Sequence, residues 1–236
     1  MGFYEEKLVP VIKAVCAVIE QTEHMQDILH GTMSEERFRF QILQNHQYLL
    51  DYTRCWAVAF SKCTCFQEME DWYPIVKNTM EGTVMVNRNF WSKEIGATLE
   101  EMDAVIEAPG KRSYTAFQLM CAEQGSLAEC MMALFPCNIL YRFFGEDLLP
   151  KCTLPEDNKF YKWIAFYVGD EYVAKTENEI RMVNKLCANK TPREQARLLE
   201  IFATSCNYEI LQYMYHNMTT WPLDSIFPRK FTTLED

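Results

Sequence analysis

Residues 34–62 of this 236-residue chain read SEERFRFQILQNHQYLLDYTRCWAVAFSK, a stretch that is typical of one long helix. Ser34 and the two glutamates after it form a helix start signal, because a serine hydroxyl accepts a backbone N–H that lacks a partner in the first turn. Apolar and aromatic side chains then recur at helical spacing and so share one face. They are Phe38, Ile42, Tyr48, Leu49, Tyr52 and Trp56. We therefore predict a helix over about 35–62.

The rest of the chain shows the same period. Glycine (8) and proline (9) together make up 17 of 236 residues, about 7% against a usual ~12%, which leaves little material for the many turns of an all-β fold. Three Ser/Thr-x-x-Glu capping boxes, in which a hydroxyl and a carboxylate satisfy each other's free backbone N–H groups, mark helix starts. The boxes begin at Thr98, Ser126 and Thr191.

These signals predict one domain over 1–236, an all-α antiparallel bundle of about eight helices. The other predicted helices cover about 3–21, 67–80, 82–95, 111–124, 126–147, 157–166, 169–188 and 191–218. We predict a loop over 150–157 and a surface tail over 221–236.

The composition excludes several classes of function. Lys+Arg number 23 and Asp+Glu number 33, which gives a net charge of −10. A nucleic-acid binder needs basic groups that displace counterions from phosphate, so we expect no nucleic-acid partner. No apolar run approaches the ~20 residues that cross a bilayer, and the start of the chain lacks the pattern of a secretory signal. We therefore expect a cytoplasmic protein with no membrane partner.

The ten cysteines do not follow a metal-binding pattern. Cys55, Cys63 and Cys65 lie near each other, but no Cys-x-x-Cys or histidine pair completes four zinc ligands. A di-iron site in a helical bundle is the second possibility, and it needs repeated Glu and Glu-x-x-His units. The chain has four histidines and no Glu-x-x-His. We expect reduced thiols, no metal and no cofactor.

Three predicted helices each place polar or aromatic side chains together on one face. The three sets are Asn45, Tyr48 and Tyr52; Cys137, Tyr141 and Phe144; and Glu209, Tyr213 and His216. Sites in helical bundles are built from side chains on facing helices, so we predict that the three faces converge on a site. The alternative is an aromatic core whose polar tips reach water.

Cys137 and Glu209 are the candidates for catalysis. Pro136 removes one backbone hydrogen bond from an apolar helix, and the resulting kink either directs Cys137 into a cavity or serves only the curvature of the bundle. A nucleophilic thiol needs an acid or base partner. Glu209 fits that role, because a glutamate on an aromatic face is desolvated and its pKa is raised.

Five segments carry a family resemblance. They are GTMSEERF (31–38), ILQNHQYL (42–49), LFPCNILY (134–141), IAFYVGD (164–170) and SCNYEILQYMYHNMTTW (205–221). In their order and spacing these segments resemble the TenA family, which comprises thiaminase II, also called aminopyrimidine aminohydrolase. The resemblance runs from about residue 28 to 221, and its most specific parts are the Pro-Cys pair and the final Tyr-Glu pair.

The resemblance implies a haem-oxygenase-like fold that binds no haem and assembles as a homo-oligomer, a tetramer or a dimer. It implies hydrolysis at the methylene on C5 of a 4-amino-2-methylpyrimidine, with an amine or the thiazolium of thiamine as the leaving group and hydroxymethylpyrimidine as the product. Cys137 is then the nucleophile, and Glu209 first the acid and later the base. The resemblance implies that four tyrosines contact the substrate: Tyr48, Tyr114, Tyr141 and Tyr167. Asn45 and Tyr52 share a predicted helix face with Tyr48, so we predict that they contact the substrate as well.

Asn45 departs from the family pattern, which has aspartate after the glutamine at this point. A carboxylate favours a pyrimidine protonated on the ring nitrogen beside the amino group, whereas an amide both accepts and donates and so fits the neutral ring. We therefore expect slow action on the usual substrates or a preference for a modified pyrimidine. The alternative is a pyrimidine-binding or regulatory relative without activity, and the presence of both Cys137 and Glu209 argues against it.

Overall fold

The computed structural model describes residues 2–214 and Trp221, and within them it contains helices and no β-strand. The α-helices are α1 (Val9–Glu20), α2 (Glu23–His30), α3 (Glu35–Ser61), α4 (Phe66–Thr79), α5 (Ser92–Glu94), α6 (Leu99–Asp103), α7 (Pro109–Gln124), α8 (Leu127–Leu134), α9 (Pro136–Leu148), α10 (Lys159–Phe166), α11 (Asp170–Cys187) and α12 (Pro192–Met214). The all-α fold class predicted from the sequence is confirmed.

The predicted helix starts are present in the structure. The Ser34 hydroxyl accepts the backbone N–H of Arg37 at 3.3 Å and begins α3. Ser126 accepts the N–H of Glu129 at 3.4 Å, and a carboxylate oxygen of Glu129 accepts the N–H of Ser126 at 2.8 Å. This reciprocal pair satisfies two N–H groups that have no partner within α8. A start that the sequence analysis missed is Thr22, which caps the short helix α2.

Two predicted helices differ in detail. The segment predicted over 82–95 consists of π-helical turns, Met80–Val84 and Asn87–Trp91, followed by the short helix α5. The helix predicted over 126–147 is divided at Phe135, because Pro136 has no N–H to continue the hydrogen-bond ladder. Phe135 keeps helical backbone angles (φ −57°, ψ −37°), so α8 and α9 follow each other as one rod. Counted this way, the described part of the chain has nine helices of eight or more residues.

The α8–α9 rod lies at the centre of the bundle. Helix α8 packs against α3, α7, α11 and α12, and every residue from Cys130 to Leu134 is fully buried. By length and composition the helical stretch Leu127–Lys151 could cross a membrane, which the sequence analysis did not expect, but 72% of its most apolar window is buried inside the protein. Its apolar character is therefore explained by its place in the core. All ten cysteines are free thiols.

The C-terminal part of the prediction falls outside the described residues. This applies to His216 and, apart from Trp221, to the predicted surface tail over 221–236. Trp221 donates its indole N–H to the backbone carbonyl of Glu107 at 2.9 Å, so this residue contacts the turn that leads into α7.

Candidate active site

Cys137 is the second residue of α9 and keeps only 9% of its surface exposed. Burial raises the pKa of its thiol, and the negative charge of Glu209 raises it further. The Tyr48 hydroxyl and the ammonium groups of Lys175 and Lys111 act in the opposite direction. The thiol is therefore held neutral, but it is surrounded by groups that stabilise a thiolate when one forms.

Glu209 lies on the buried face of α12 and is 1% exposed. Burial raises the pKa of its carboxyl to about 7, while Lys111 and Tyr114 act to lower it. One carboxyl oxygen, Oε2, accepts a hydrogen bond from Nε2 of Gln212 at 3.2 Å. The other, Oε1, is buried and has no hydrogen-bond partner among the residues that the structure describes. A carboxyl group with this pKa can both give and take a proton near neutral pH, as a general acid or base must.

Four tyrosines stack beside this pair. The ring centroids of Tyr48 and Tyr52 are 5.5 Å apart, those of Tyr48 and Tyr114 5.4 Å, and those of Tyr114 and Tyr208 5.2 Å. Neighbouring rings are tilted by 22°, 21° and 14°, which is close to parallel. The Tyr52 hydroxyl donates to the carbonyl of Leu134 at 2.9 Å, next to the division between α8 and α9. The stack thus connects α3, α7 and α12 to the turn that carries Cys137.

A cavity of about 380 Å³ lies in front of this stack. Its volume is typical of a site for a small molecule, which is ~300–1,000 Å³. Its walls come mainly from α2, α3, α7, α10 and α12, with one residue from α9. The aromatic part of the described lining is Phe40, Tyr141, Trp163, Tyr167, Tyr208 and Tyr213. Aromatic walls with a few polar groups suit a flat heteroaromatic ring.

The predicted substrate contacts fall into two groups. Asn45, Tyr141 and Tyr167 line the cavity. Tyr48, Tyr52 and Tyr114 belong to the stack and lie behind the lining, each at most 1% exposed. The second group therefore supports the wall of the cavity from behind: the ring centroid of Tyr48 lies 4.6 Å from Nζ of Lys111, and Tyr114 stacks on Tyr208, where Lys111 and Tyr208 both line the cavity.

The catalytic candidates adjoin the cavity wall. Burial is the main cause that raises the pKa of Tyr167, and the neighbouring groups of Cys137 and Glu209 raise it further. The same two groups act on Tyr141, whose ring centroid is 4.8 Å from that of Tyr167. The ring centroids of Tyr141 and Tyr213 are 6.4 Å apart. The side chains that the sequence analysis placed on one face of α9 and on one face of α12 therefore meet here.

Gln44 fixes the turn before α7 against this site. Its Nε2 donates to the carbonyl of Ile106 at 2.9 Å, and its Oε1 accepts the N–H of Ala108 at 2.7 Å. Because the turn is held at both positions, Lys111 in the first turn of α7 lines the cavity. Its Nζ lies 4.6 Å from the ring centroid of Tyr48. The sequence analysis missed Lys111, since one lysine in a first helical turn forms no pattern.

A second buried polar cluster lies behind Cys137, between α9 and α11. The amide nitrogen of Asn138 donates to the hydroxyl of Tyr52 at 2.9 Å and to Oε1 of Glu179 at 2.8 Å. The amide oxygen of Asn138 accepts from Nζ of Lys175 at 3.0 Å. Burial raises the pKa of Glu179 to about 7, and Lys175 opposes this rise. No sequence pattern indicated this cluster, because a Lys and a Glu four residues apart are typical of a solvated helix face.

Within residues 2–214 and Trp221, no group of three or more His, Cys, Asp or Glu side chains is placed to hold a metal ion. The polar groups at the cavity are amides, hydroxyls, the imidazole of His24 and two basic side chains, Arg37 and Lys111.

Comparison with known proteins agrees with this architecture. The TENA/THI-4/PQQC family model matches residues 19–218. An aminopyrimidine aminohydrolase from Halalkalibacterium halodurans is 29% identical over 188 residues, which are 78% of this chain and 82% of that protein.

Two solved structures share the fold. A TenA homologue from P. horikoshii OT3 superposes with a TM-score of 0.79 at 22% identity, over 92% of this chain and all of the other. A domain with a haem oxygenase-like fold from Shewanella denitrificans has a TM-score of 0.71 at 11% identity, over 88% and 89% of the two chains. On the extent of the family match, the chain belongs to the TENA/THI-4/PQQC family.

Proposed function

We propose that this protein is a hydrolase that cleaves the bond between the C5 methylene of a 4-amino-2-methylpyrimidine and an amine, releasing the hydroxymethylpyrimidine used in thiamine salvage. Relatives that are named aminopyrimidine aminohydrolase and are 25–29% identical to this chain support the reaction class. The observation that carries the proposal is the buried pair of Cys137 and Glu209 beside an aromatic cavity of about 380 Å³.

The first step uses Cys137. Its sulfur adds to the ring carbon beside C5, the S–H bond breaks, and a ring nitrogen takes up the proton. Neutral reactants then give a neutral adduct, which suits a thiol whose pKa is raised by burial. The Tyr48 hydroxyl and the two lysines stabilise the negative charge that develops on sulfur as the proton leaves.

The second step uses Glu209. In its protonated form it gives its proton to the amine as the bond from the methylene carbon to nitrogen breaks. The resulting carboxylate then takes a proton from water, whose oxygen bonds to the methylene carbon. The C–S bond finally breaks, the ring nitrogen gives up the proton that it received in the first step, and that proton returns to the Cys137 sulfur as the aromatic ring is restored. A pKa of about 7 allows both transfers near neutral pH.

Asn45 is the proposed contact for the ring edge. Its amide oxygen accepts from the 4-amino group, and its amide nitrogen donates to the neighbouring ring nitrogen in its unprotonated form. Because an amide carries no charge, it does not favour a protonated ring, which is the better electron acceptor for the thiol. We therefore propose slow turnover of the unmodified aminomethyl pyrimidine.

Mass spectrometry of the reaction products tests this function. Purified protein is incubated separately with thiamine and with the aminomethyl pyrimidine, and hydroxymethylpyrimidine is followed over time. We expect product from the wild-type protein and none from Cys137→Ala or Glu209→Gln. Calorimetry with the same compounds identifies the alternative: tight binding to folded wild-type protein without any product indicates a pyrimidine-binding protein and overturns the proposal.

A further inference from the structure

The cavity has an unusual balance of charge. The protein carries a net charge of −10, yet the described lining of the cavity contains no aspartate or glutamate. Two of the lining side chains, Arg37 and Lys111, are basic. Arg37 is balanced by Asp27, whose carboxylate lies 2.6 Å from its guanidinium. Lys111 forms no ion pair within 4.0 Å with any carboxylate of residues 2–214.

The ammonium of Lys111 also has unused hydrogen-bonding capacity. An ammonium has three N–H donors. One donates to Oε1 of Gln212, whose amide nitrogen in turn donates to Glu209. No other described residue accepts a hydrogen bond from Lys111 Nζ, which lies over the ring of Tyr48. Two donors therefore remain at the cavity wall beside the candidate acid.

The proposed reaction makes this imbalance larger. Glu209 is the nearby group that can oppose the charge of Lys111, but it must be protonated, and so neutral, when the leaving group departs. At that moment the ammonium keeps Gln212 and the ring of Tyr48 as neighbours, but no anion in the described part of the site opposes its charge. A buried charge without a partner is costly, and an anionic group of the substrate can supply the missing charge.

We propose, on the basis of the proposed function, that Lys111 binds an oxyanion on the leaving group, so that the preferred substrates are aminopyrimidines whose C5-methylene amine carries a carboxylate or a phosphate-type group. With a carboxymethyl amine the reaction is balanced as hydrolysis: water replaces the amine, and the products are the hydroxymethylpyrimidine and glycine. The oxyanion lies close to Lys111 because the amine itself must lie next to Glu209, to which Lys111 is connected through Gln212.

The same charges disfavour a cationic leaving group. The thiazolium of thiamine is positive, and it would enter a cavity whose described lining offers Lys111 and no carboxylate. Asn45 adds no negative charge at the ring edge. We therefore expect thiamine to be a poorer substrate than an aminopyrimidine with an anionic leaving group.

A matched set of substrates tests the proposal. Three N-substituted aminomethyl pyrimidines differ only in the end of the leaving group: carboxymethyl, its neutral amide carbamoylmethyl, and phosphonomethyl. The quantity measured is the ratio of kcat/KM for an anionic compound to that for the amide, in the wild-type protein and in Lys111→Met. Intrinsic differences between the leaving groups cancel when the two ratios are compared. The carboxylate and phosphonate compounds distinguish the two kinds of oxyanion.

We expect the ratio to fall by about tenfold or more in Lys111→Met, since a charge-assisted hydrogen bond is lost, and to be largely kept in Lys111→Arg. Lys111→Gln is a second neutral variant for use if the methionine variant does not fold. An unchanged ratio in a folded neutral variant overturns the proposal.

Measurements of binding test the oxyanion site independently of the proposed hydrolase reaction. Calorimetry with the carboxymethyl compound and its amide is carried out on Cys137→Ser, with and without Lys111→Met. A preference for the anion that depends on Lys111, without turnover in the wild-type protein, supports the oxyanion site and contradicts the hydrolase. Turnover without such a preference supports the hydrolase and contradicts the oxyanion site.

Discussion

At the scale of single residues, the state of Glu209 depends on how little water reaches it. Its carboxyl is 1% exposed, and burial raises its pKa from 4.5 to about 7. The folded protein therefore holds this proton more tightly than the unfolded chain does. The contribution of Glu209 to stability is fully present below about pH 4.5, and it is lost as the pH rises through 7. Burial of the Glu209 carboxyl thus has two consequences: it suits the group to acid–base catalysis near neutral pH, and it makes the stability of the protein depend on pH.

Replacing Glu209 with Gln removes this dependence, because the amide does not titrate. We expect the Glu209→Gln protein to match the wild type closely at pH 5 and to gain in relative stability by pH 8, by up to about 3 kcal/mol. Urea unfolding at the two pH values measures the difference. Glu6→Gln, at an exposed site, is the control and should change little at either pH. A relative stability of Glu209→Gln that does not change with pH contradicts this account.

Asn45 decides which form of the pyrimidine the cavity favours. Asn45→Asp introduces a carboxylate that stabilises a ring protonated beside the amino group, and such a ring accepts the thiol more readily. We expect kcat/KM for the aminomethyl pyrimidine to rise by about tenfold, because a charge-assisted hydrogen bond is roughly twice as strong as a neutral one. Asn45→Ala, which removes both hydrogen bonds, should lower it. No gain with aspartate contradicts the electron-acceptor argument.

At the scale of helices, the contact between α9 and α11 supports the turn that carries Cys137. Asn138, the next residue after Cys137, is held by Lys175 and Glu179 of α11 and by Tyr52 of α3. Lys175 also lowers the pKa of the Cys137 thiol against the effect of burial. Helix α11 therefore affects both the position and the charge of the candidate nucleophile without lining the cavity.

Lys175→Met should show both effects. The variant removes the ammonium that opposes the raised pKa of Glu179 and that donates to Asn138, so we expect a loss of about 1–3 kcal/mol in the free energy of unfolding near pH 8. The double variant Lys175→Met/Glu179→Gln should recover much of this loss. In both variants the pKa of Cys137 should rise, so that alkylation of the thiol by iodoacetamide becomes slower at a given alkaline pH. If Lys175→Met is as stable as the wild type, Lys175 and Glu179 are not energetically coupled and this account is wrong.

At the scale of the whole molecule, helix α4 exposes apolar side chains on its outer face. Phe66 is 78% exposed, Met69 43% and Tyr73 58%, and their spacing of three and four residues places them in one stripe. An exposed stripe of this kind is typical of a contact between proteins. The sequence analysis predicts a homo-oligomer, and this stripe is the surface that we expect a second copy of the chain to cover.

Light scattering coupled to gel filtration measures the oligomer. We expect the wild type to elute as a dimer or tetramer, and Phe66→Glu/Tyr73→Glu to elute with a lower mass at unchanged helical content, because a buried charge opposes the contact. Gln67→Glu adds a charge to an exposed polar site of the same helix and serves as the control. A monomeric wild-type protein is incompatible with this interface.

Much of the fold could be predicted from local features. The apolar period of α3 and the capping boxes at Thr98 and Ser126 are properties of neighbouring residues, and the structure contains them as predicted. Helix α2 and the π-helical turns over 80–91 were not predicted. Helix α2 is too short to show a clear period. The π-helical turns differ from an α-helix in their hydrogen bonds, whereas their apolar period looks the same in the sequence.

By itself the sequence determined the all-α class and the long helices, because helix period and helix capping depend on residues close together in the chain. It also named Cys137 and Glu209 as candidates, and their catalytic role stays a prediction. Only the tertiary structure placed Lys111 on the cavity wall, Tyr48 behind it, and Lys175 beside Asn138. These contacts join residues that are tens of positions apart and lie on different helices. Their charge and burial are set by the packing of the bundle, which no local pattern of residues encodes.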